Sequence, residues 1–401
     1  MTFNSFIQKF QRVTSSGKFI SEIDGLRFIA IGTVVLFHIN ANPHIGAVST
    51  NASYLERLLL LNVVTQGFHG VQLFFIISGF ILAYPFASHY LKGKSRVNLK
   101  QYFIRRVTRL EPPYMVCMLG LFLIWIFWKD WNFTESFPHL AASLGYVHNI
   151  TYGEESIINN VAWSLEIEIQ FYLLVPLLAK LFSVSDKTLR RSLIVGIGLL
   201  TIIGHWYIFE SNPRLSMSIL NHLHFFLIGF LLADIFLIDW NETPKRLFKW
   251  DIVSLIGWPL LFVMWNFPDQ KPSLFTFAES SPIETILYPV CAFFLYVAVF
   301  RGKLTNKILT IPWLTAIGGM CYTIYLLHNP VMGFIIRFTH PFLTFQSYSL
   351  TFIMQSLVLI PLMLSVCGLF FLLIEKPCMY KDWPKRLSTN IWQFWLKLIS
   401  K

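Results

Sequence analysis

Ten predominantly apolar runs constrain this sequence more than any other feature; they centre on residues 26–39, 68–86, 114–128, 161–182, 193–209, 219–238, 252–267, 283–300, 313–338 and 350–374. A hydrocarbon core about 30 Å thick is crossed by about 20 helical residues, and lipid offers no partner to an open backbone. Runs of this size therefore predict transmembrane helices. Composition agrees, with 55% hydrophobic and only 13% charged residues, where soluble domains carry about a quarter charged. The expected fold is an all-α polytopic bundle of about ten transmembrane helices forming one domain over 1–401. It divides into an N-terminal cytoplasmic segment (1–23), a ten-helix core (24–374) and a cytoplasmic tail (375–401). No polar stretch is long enough for a separate soluble domain, and a nucleic-acid partner is excluded. The five cysteines include no C-x-x-C pair, so neither a disulfide framework nor a metal site is expected.

The excess of 32 Lys and Arg over 21 Asp and Glu belongs to topology. With the N-terminus in the cytosol, only Arg57, Lys129, Arg214, Lys271 and Arg337 fall outside, leaving 27 of the 32 inside. That asymmetry predicts both termini in the cytosol. The first run carries Arg27 and His38 and has no small-residue cleavage site after it, which argues against a removable signal. The long outer connection, 129–160, is expected to fold back as a re-entrant or interfacial element. Its Trp131, Phe133, Phe137 and Tyr152 suit either sugar stacking or a membrane-interface belt.

Ionisable residues inside the runs are the informative ones, because each costs a few kcal/mol at the bilayer centre unless paired or hydrated. Arg27 and His38 are eleven residues apart, so they share a helix face about 16 Å apart along the axis. Arg27 fits a snorkelling anchor or a functional cation; His38 fits a packing hydrogen bond or catalysis. In the fourth run Glu166 and Glu168 lie about 200° apart, so only one serves a given site. Glu168 shares its face with Ser164 and Tyr172 at a depth similar to His38. A structural bond to another helix and an imidazole partner both fit Glu168.

Ser78-Gly79 in the second run is read as a close-packing pair. The basic segment that follows includes Arg105, Arg106 and Arg109; anionic lipid is its default partner. Arg105 and Arg109, one turn apart, also form a fork for phosphate oxygens. In the ninth run Pro330 frees a carbonyl one turn upstream and predicts a kink near His328. His222, His224 and Asp234 lack metal-site spacing.

Six motifs recur in one order: Arg27-x10-His38; G-V-x-L-F-F-x-x-S-G-F from Gly70; R-R-x-x-R-x-x-P from Arg105; Trp163-Ser-Leu-x-x-Glu168-x-Gln-Phe-Tyr172; G-x-x-x-Y-x-x-Y-L-x-H from Gly318; and Glu375-Lys-Pro377. Together they resemble the acyltransferase family 3 membrane proteins, which acylate sugars of bacterial envelope and secreted glycans. The resemblance covers nearly the whole chain. It implies a bacterial inner-membrane enzyme, a cytosolic acyl-CoA donor, a catalytic His38, donor contact by Arg27 and a functional Glu168. Gln72, Cys321 and Glu111 depart from the usual family residues, and no SGNH-type hydrolase domain is appended.

The resulting expectation is transfer of an acyl group, chiefly acetyl, from acyl-CoA to a hydroxyl of an envelope polysaccharide, such as lipopolysaccharide, or its lipid-linked precursor. Arg27, Arg105, Arg106 and Arg109 hold the donor, acyl-CoA being a co-substrate rather than a permanently bound cofactor. His38, oriented by Glu168 or another acceptor, is the general base. An acyl-imidazole intermediate is the variant. Ser78, Trp163, Ser164, Tyr172, Tyr325 and His328 are substrate-site candidates. The alternative is a transporter or flippase that uses intramembrane His and Glu for proton coupling.

Overall fold

The computed structural model describes residues 7–13, 19–209, 211–263, 282–380 and 383, and every regular element among them is helical. The main helices are α1 (Ser21–Ala41), α2 (Gly70–Lys92), α3 (Leu99–Trp128), α4 (Trp163–Leu178), α5 (Lys187–Gly204), α6 (Ile219–Ile238), α7 (Lys249–Val263), α8 (Pro282–Arg301), α9 (Pro312–Gly319), α10 (Cys321–Thr339) and α11 (Tyr348–Phe370). Each apolar run corresponds to one of them, the ninth to the pair α9 and α10. The end of the seventh run, the connection carrying Asp269, Lys271 and Glu279, and nearly all of the tail lie outside the described residues.

Among the described residues, five helical stretches are long and apolar enough to cross a membrane, or six if the bent pair α9–α10 is one span. The others fall short for identifiable reasons. α1 opens with Glu22, Asp24 and Arg27, α4 is only 16 residues long and holds Glu166 and Glu168, and the apolar part of α8 spans Ile286–Arg301. Two of these, α1 and α4, carry Arg27 and Glu168 of the candidate site.

α2 and α6 cross in direct backbone contact. A Cβ on Gly79 would lie 2.1 Å from the Phe226 carbonyl oxygen, and one on Gly229 would lie 2.3 Å from that of Ile76. The packing assignment of Gly79 is therefore met, but Ser78 beside it faces Glu168 instead. α1 and α9 touch as closely, with Gly318 against the Asp24 carbonyl. On the other side of α6, Asp234 accepts from Arg190 and Arg191 of α5, a buried ion cluster that joins the two helices.

The ninth run bends by 70° at Met320, between α9 and α10, whereas Pro330 sits inside an uninterrupted α10. The one break in this run therefore falls at Met320 rather than at Pro330. The freed Leu326 carbonyl accepts a hydrogen bond from Asn159 Nδ2 at 3.0 Å, so the helix loses no partner there. At the real bend, the Glu375 carboxylate accepts from both the backbone amide and the hydroxyl of Thr323, capping the start of α10.

The connection after α3 does fold back. Helix Phe133–Leu144 returns beside α3, so that Tyr146 stacks on Tyr114 with centroids 4.7 Å apart; Tyr114 is about 21 Å back from the end of α3 at Trp128. Glu166 accepts from the Asn149 amide at 2.9 Å and anchors the segment on α4. Among the four aromatic residues proposed for stacking, Phe133 and Phe137 are exposed and stacked on each other, while Tyr152 stacks on His139.

We expect Gly79→Ala to lower the thermal stability of the detergent-solubilised protein by about 1–3 kcal/mol, the usual cost of overpacking. Gly120→Ala, where a Cβ meets nothing within 4 Å, should leave it unchanged or raised. Equal melting temperatures for the two variants would contradict the direct backbone crossing.

Candidate active site

A cavity of about 90 Å³ opens between α1, α2, α3, α4 and α10. Its polar lining comprises Arg27, Arg106, Arg109 and Cys321, the Ser78, Glu168 and Tyr172 cluster, and Ser164 with Tyr325. Apolar side chains such as Phe74, Phe75 and Ile81 complete the walls, giving a narrow slot with a polar strip.

The arginines are held by charge and packing. Asp24 is fully buried and accepts from Arg27 at 2.8 Å and from Arg12 at 2.8 and 3.0 Å. The i,i+3 spacing of Asp24 and Arg27 on α1 makes the first pair local, while Arg12 reaches in from the N-terminal segment. Arg106 lies over the rings of Tyr102 and Tyr172 at 5.8 and 5.5 Å. Arg109 Nε is buried without a hydrogen-bond partner among the described residues, and this guanidinium lines the slot. Arg105 differs from its neighbours: it is exposed and does not line the cavity. The inward pair is thus Arg106 with Arg109, not the Arg105–Arg109 fork expected from one-turn spacing.

Glu168 Oε1 accepts from Ser78 Oγ at 2.5 Å and from Tyr172 Oη at 2.6 Å. It does not bond His38, so the expected carboxylate–imidazole pairing is replaced by a carboxylate–hydroxyl cluster. Ser164 and Tyr325 share a hydrogen bond of 2.6 Å. Next to Tyr325, whose ring centroid is 5.8 Å away, stands His328, fully buried and in contact with His38. The two imidazoles meet at 3.3 Å, His328 Nε2 to His38 Nδ1. His38 Nδ1 also lies 2.9 Å from the Val34 carbonyl oxygen, the other acceptor that the sequence left open. Asn329, next in the chain, donates to Asn160 at 2.7 Å. In the same connection, burial pushes the Glu155 carboxyl up to about 7 against a hydrogen bond from Asn160.

Of the candidate residues, Arg27, Arg106, Arg109, Ser78, Ser164, Glu168, Tyr172 and Tyr325 therefore converge on one cavity. His38 and His328 stand beyond Tyr325. Trp163 turns elsewhere, against Phe75 and His222, and Gln72 bonds His69 at 2.6 Å. Sequence reasoning missed Arg12, which has no spacing signal, and Asp24, whose position one turn before Arg27 was a usable one. Cys321 and Tyr322 were visible only as motif letters; Tyr322 lines the slot and donates to the Leu110 carbonyl at 2.8 Å.

The family model described as an acyltransferase domain, acyltransferase 3, matches residues 20–372. The chain is 26% identical over 341 residues to the O-acetyltransferase OatA of Staphylococcus aureus strain NCTC 8325, covering 80% of this chain and 52% of that protein. It is 31% identical over 201 residues to the peptidoglycan O-acetyltransferase OatA of Listeria monocytogenes, covering 47% of this chain and 29% of that protein. A putative O-acetyltransferase of S. aureus strain COL is 24% identical over 335 residues, covering 79% and 51%. The chain thus spans about half the length, or less, of these relatives. No solved structure matches it.

Removing the central carboxylate tests how the arginines are held. Asp24→Ala leaves Arg12 and Arg27 without their partner and should destabilise the protein by about 3–5 kcal/mol, as when a buried ion pair loses one member. Thermal unfolding in detergent measures it; an unchanged midpoint would mean that solvent already screens the pair.

Proposed function

Because the chain belongs to the acyltransferase 3 family, we propose that this integral membrane protein transfers an acetyl group from acetyl-CoA to a hydroxyl of an envelope glycan or its lipid-linked precursor. One observation carries the reading: a slot with arginines at one end and a pair of imidazoles beyond the other. Acyl-CoA has the matching polarity, with phosphates at one end and a thioester at the end of a thin pantetheine arm. The proposed topology is ten spans with both termini cytosolic, supported by the Lys and Arg asymmetry. The relatives named O-acetyltransferases support acetyl as the group, and the one named for peptidoglycan supports a glycan acceptor.

In this reading Arg27, Arg106 and Arg109 bind the phosphates, and Arg109 brings a buried donor that lacks a partner among the described residues. Arg105, exposed, adds only long-range attraction. Glu168 draws the Ser78 and Tyr172 hydroxyl protons toward itself, which leaves their oxygen lone pairs to accept from the pantetheine amides. His38 takes the proton of the glycan hydroxyl as its oxygen bonds the thioester carbonyl carbon. The carbon–sulfur bond then breaks and the proton passes to the leaving thiolate. The glycan approaches from the side of Asn160 and Asn329, whose amides suit sugar hydroxyls.

Donor titration on purified protein separates the arginines. Arg109→Ala should weaken acetyl-CoA binding about 10- to 100-fold, the equivalent of a charge-assisted hydrogen bond, and Arg105→Ala should change it less than about 3-fold. Donor affinity unchanged in both variants, with expression reduced, would return the cluster to a topology signal.

Turnover tests the base. His38→Ala should lower kcat about 10²- to 10⁴-fold in a folded protein, the range for a general base, and Glu168→Gln should lower it less. In cells, envelope glycan from a strain lacking the protein should lose base-labile acetyl signals in NMR. Wild type should restore them and His38→Ala should not. Identical acetyl content in all three strains would remove the glycan acceptor.

A further inference from the structure

The histidine pair is asymmetric, and the asymmetry determines where its protons lie. His328 Nδ1 is 2.8 Å from the Tyr325 carbonyl oxygen and 3.0 Å from that of Ile324. A ring nitrogen between two carbonyl oxygens must carry a proton. In the neutral ring Nε2 is then a bare lone pair, and the atom it meets is His38 Nδ1 at 3.3 Å. That same nitrogen lies 2.9 Å from the Val34 carbonyl oxygen. Two acceptors therefore face His38 Nδ1, and only an N–H there satisfies either. The other tautomer of His38 would set its Nδ1 lone pair against both the lone pair of His328 and the Val34 oxygen. Val34 O is also the backbone acceptor one helical turn before His38, so it is shared; the lone pair of His328 is not engaged elsewhere by any described residue.

We infer that His328 is a positioning residue for His38: its Nε2 lone pair holds His38 as the Nδ1–H tautomer with Nε2 unprotonated toward the reacting hydroxyl. This deepens the proposed function and rests on His38 being the base. The logic is that of a triad in which a third group fixes the imidazole tautomer, here with a second imidazole in place of a carboxylate. Glu168, which sequence depth suggested for that task, is occupied by Ser78 and Tyr172. Position also suits His328: it is fully buried on α10, and the Leu326 carbonyl that Pro330 leaves free is taken by Asn159.

The test uses the full-length protein in nanodiscs with ¹⁵N-labelled histidine and three variants. Gln at position 328 keeps an acceptor near Nε2; Asn keeps the anchoring donor near Nδ1 but not the acceptor; Leu keeps neither. The His38 ring resonance is assigned by its loss in His38→Ala. In wild type and His328→Gln it should report the Nδ1–H tautomer, and in His328→Asn and His328→Leu a mixture of tautomers. Against acetyl-CoA, Asn and Leu should lower kcat about 10- to 100-fold, less than the loss of a carboxylate orienter because Val34 remains. KM for the donor should stay within a factor of about 3, and Gln should recover most of kcat. An unchanged His38 tautomer in both the Asn and Leu variants overturns the inference whatever the activity. A tautomer that shifts with no loss of kcat upholds the pairing and overturns the assignment of His38 as base.

Discussion

The fold depends on keeping several charges inside an apolar bundle. Asp24 accepts from both Arg12 and Arg27, Glu375 lies within electrostatic reach of Arg109 and Arg27, and Glu168 is the one carboxylate that lines the slot itself. An isolated ion at such depth costs several kcal/mol, so the charges fix which helices must be neighbours. α1 supplies Asp24 and Arg27, α3 supplies Arg106 and Arg109, α4 supplies Glu168, and the segment after α11 supplies Glu375. The small residues follow from the same demand: Gly318 lets α9 lie against the Asp24 backbone, and the bend at Met320 then swings α10 across the slot.

From that arrangement the polar route through the molecule follows. Arginines, then a carboxylate with two hydroxyls, then a serine–tyrosine pair, then two imidazoles succeed one another along helices otherwise made of Leu, Ile, Val and Phe. The returning segment 133–160 closes the route on the imidazole side. Besides the buried Leu140 and Ile158, polar groups pin it: Asn149 on Glu166, Asn159 on Leu326 and Asn160 on Asn329. Such contacts position a loop without demanding the large buried surface that the bundle itself uses.

Much of this was legible in the sequence because helical period and apolar length are local properties. The ten runs fall on the ten helices or helix pairs, and the face shared by Glu168, Ser164 and Tyr172 was set by spacing alone. What escaped depends on contacts distant in the chain. Depth put Glu168 level with His38 but could not say that Ser78, ninety residues earlier, would claim it. One-turn spacing joined Arg105 to Arg109 but could not say that the bundle covers Arg109 and leaves Arg105 exposed. Pro330 signalled a freed carbonyl at Leu326, but not that Asn159, 167 residues away, would take it. The number of spans is also less regular than the runs suggest, since helices that carry ionisable residues are too short or too polar to qualify by length and composition.

The central claim is that donor and acceptor meet at His38 from opposite sides of one membrane protein. Purified protein of defined orientation in sealed vesicles, with labelled acetyl-CoA enclosed on the arginine side and glycan oligosaccharide added only to the opposite side, tests it directly. The account predicts acetyl ester on the external glycan at a rate that wild type supports and His38→Ala does not. Label that appears on the glycan only when donor and acceptor share one compartment, or free label crossing without ester formation, would contradict it.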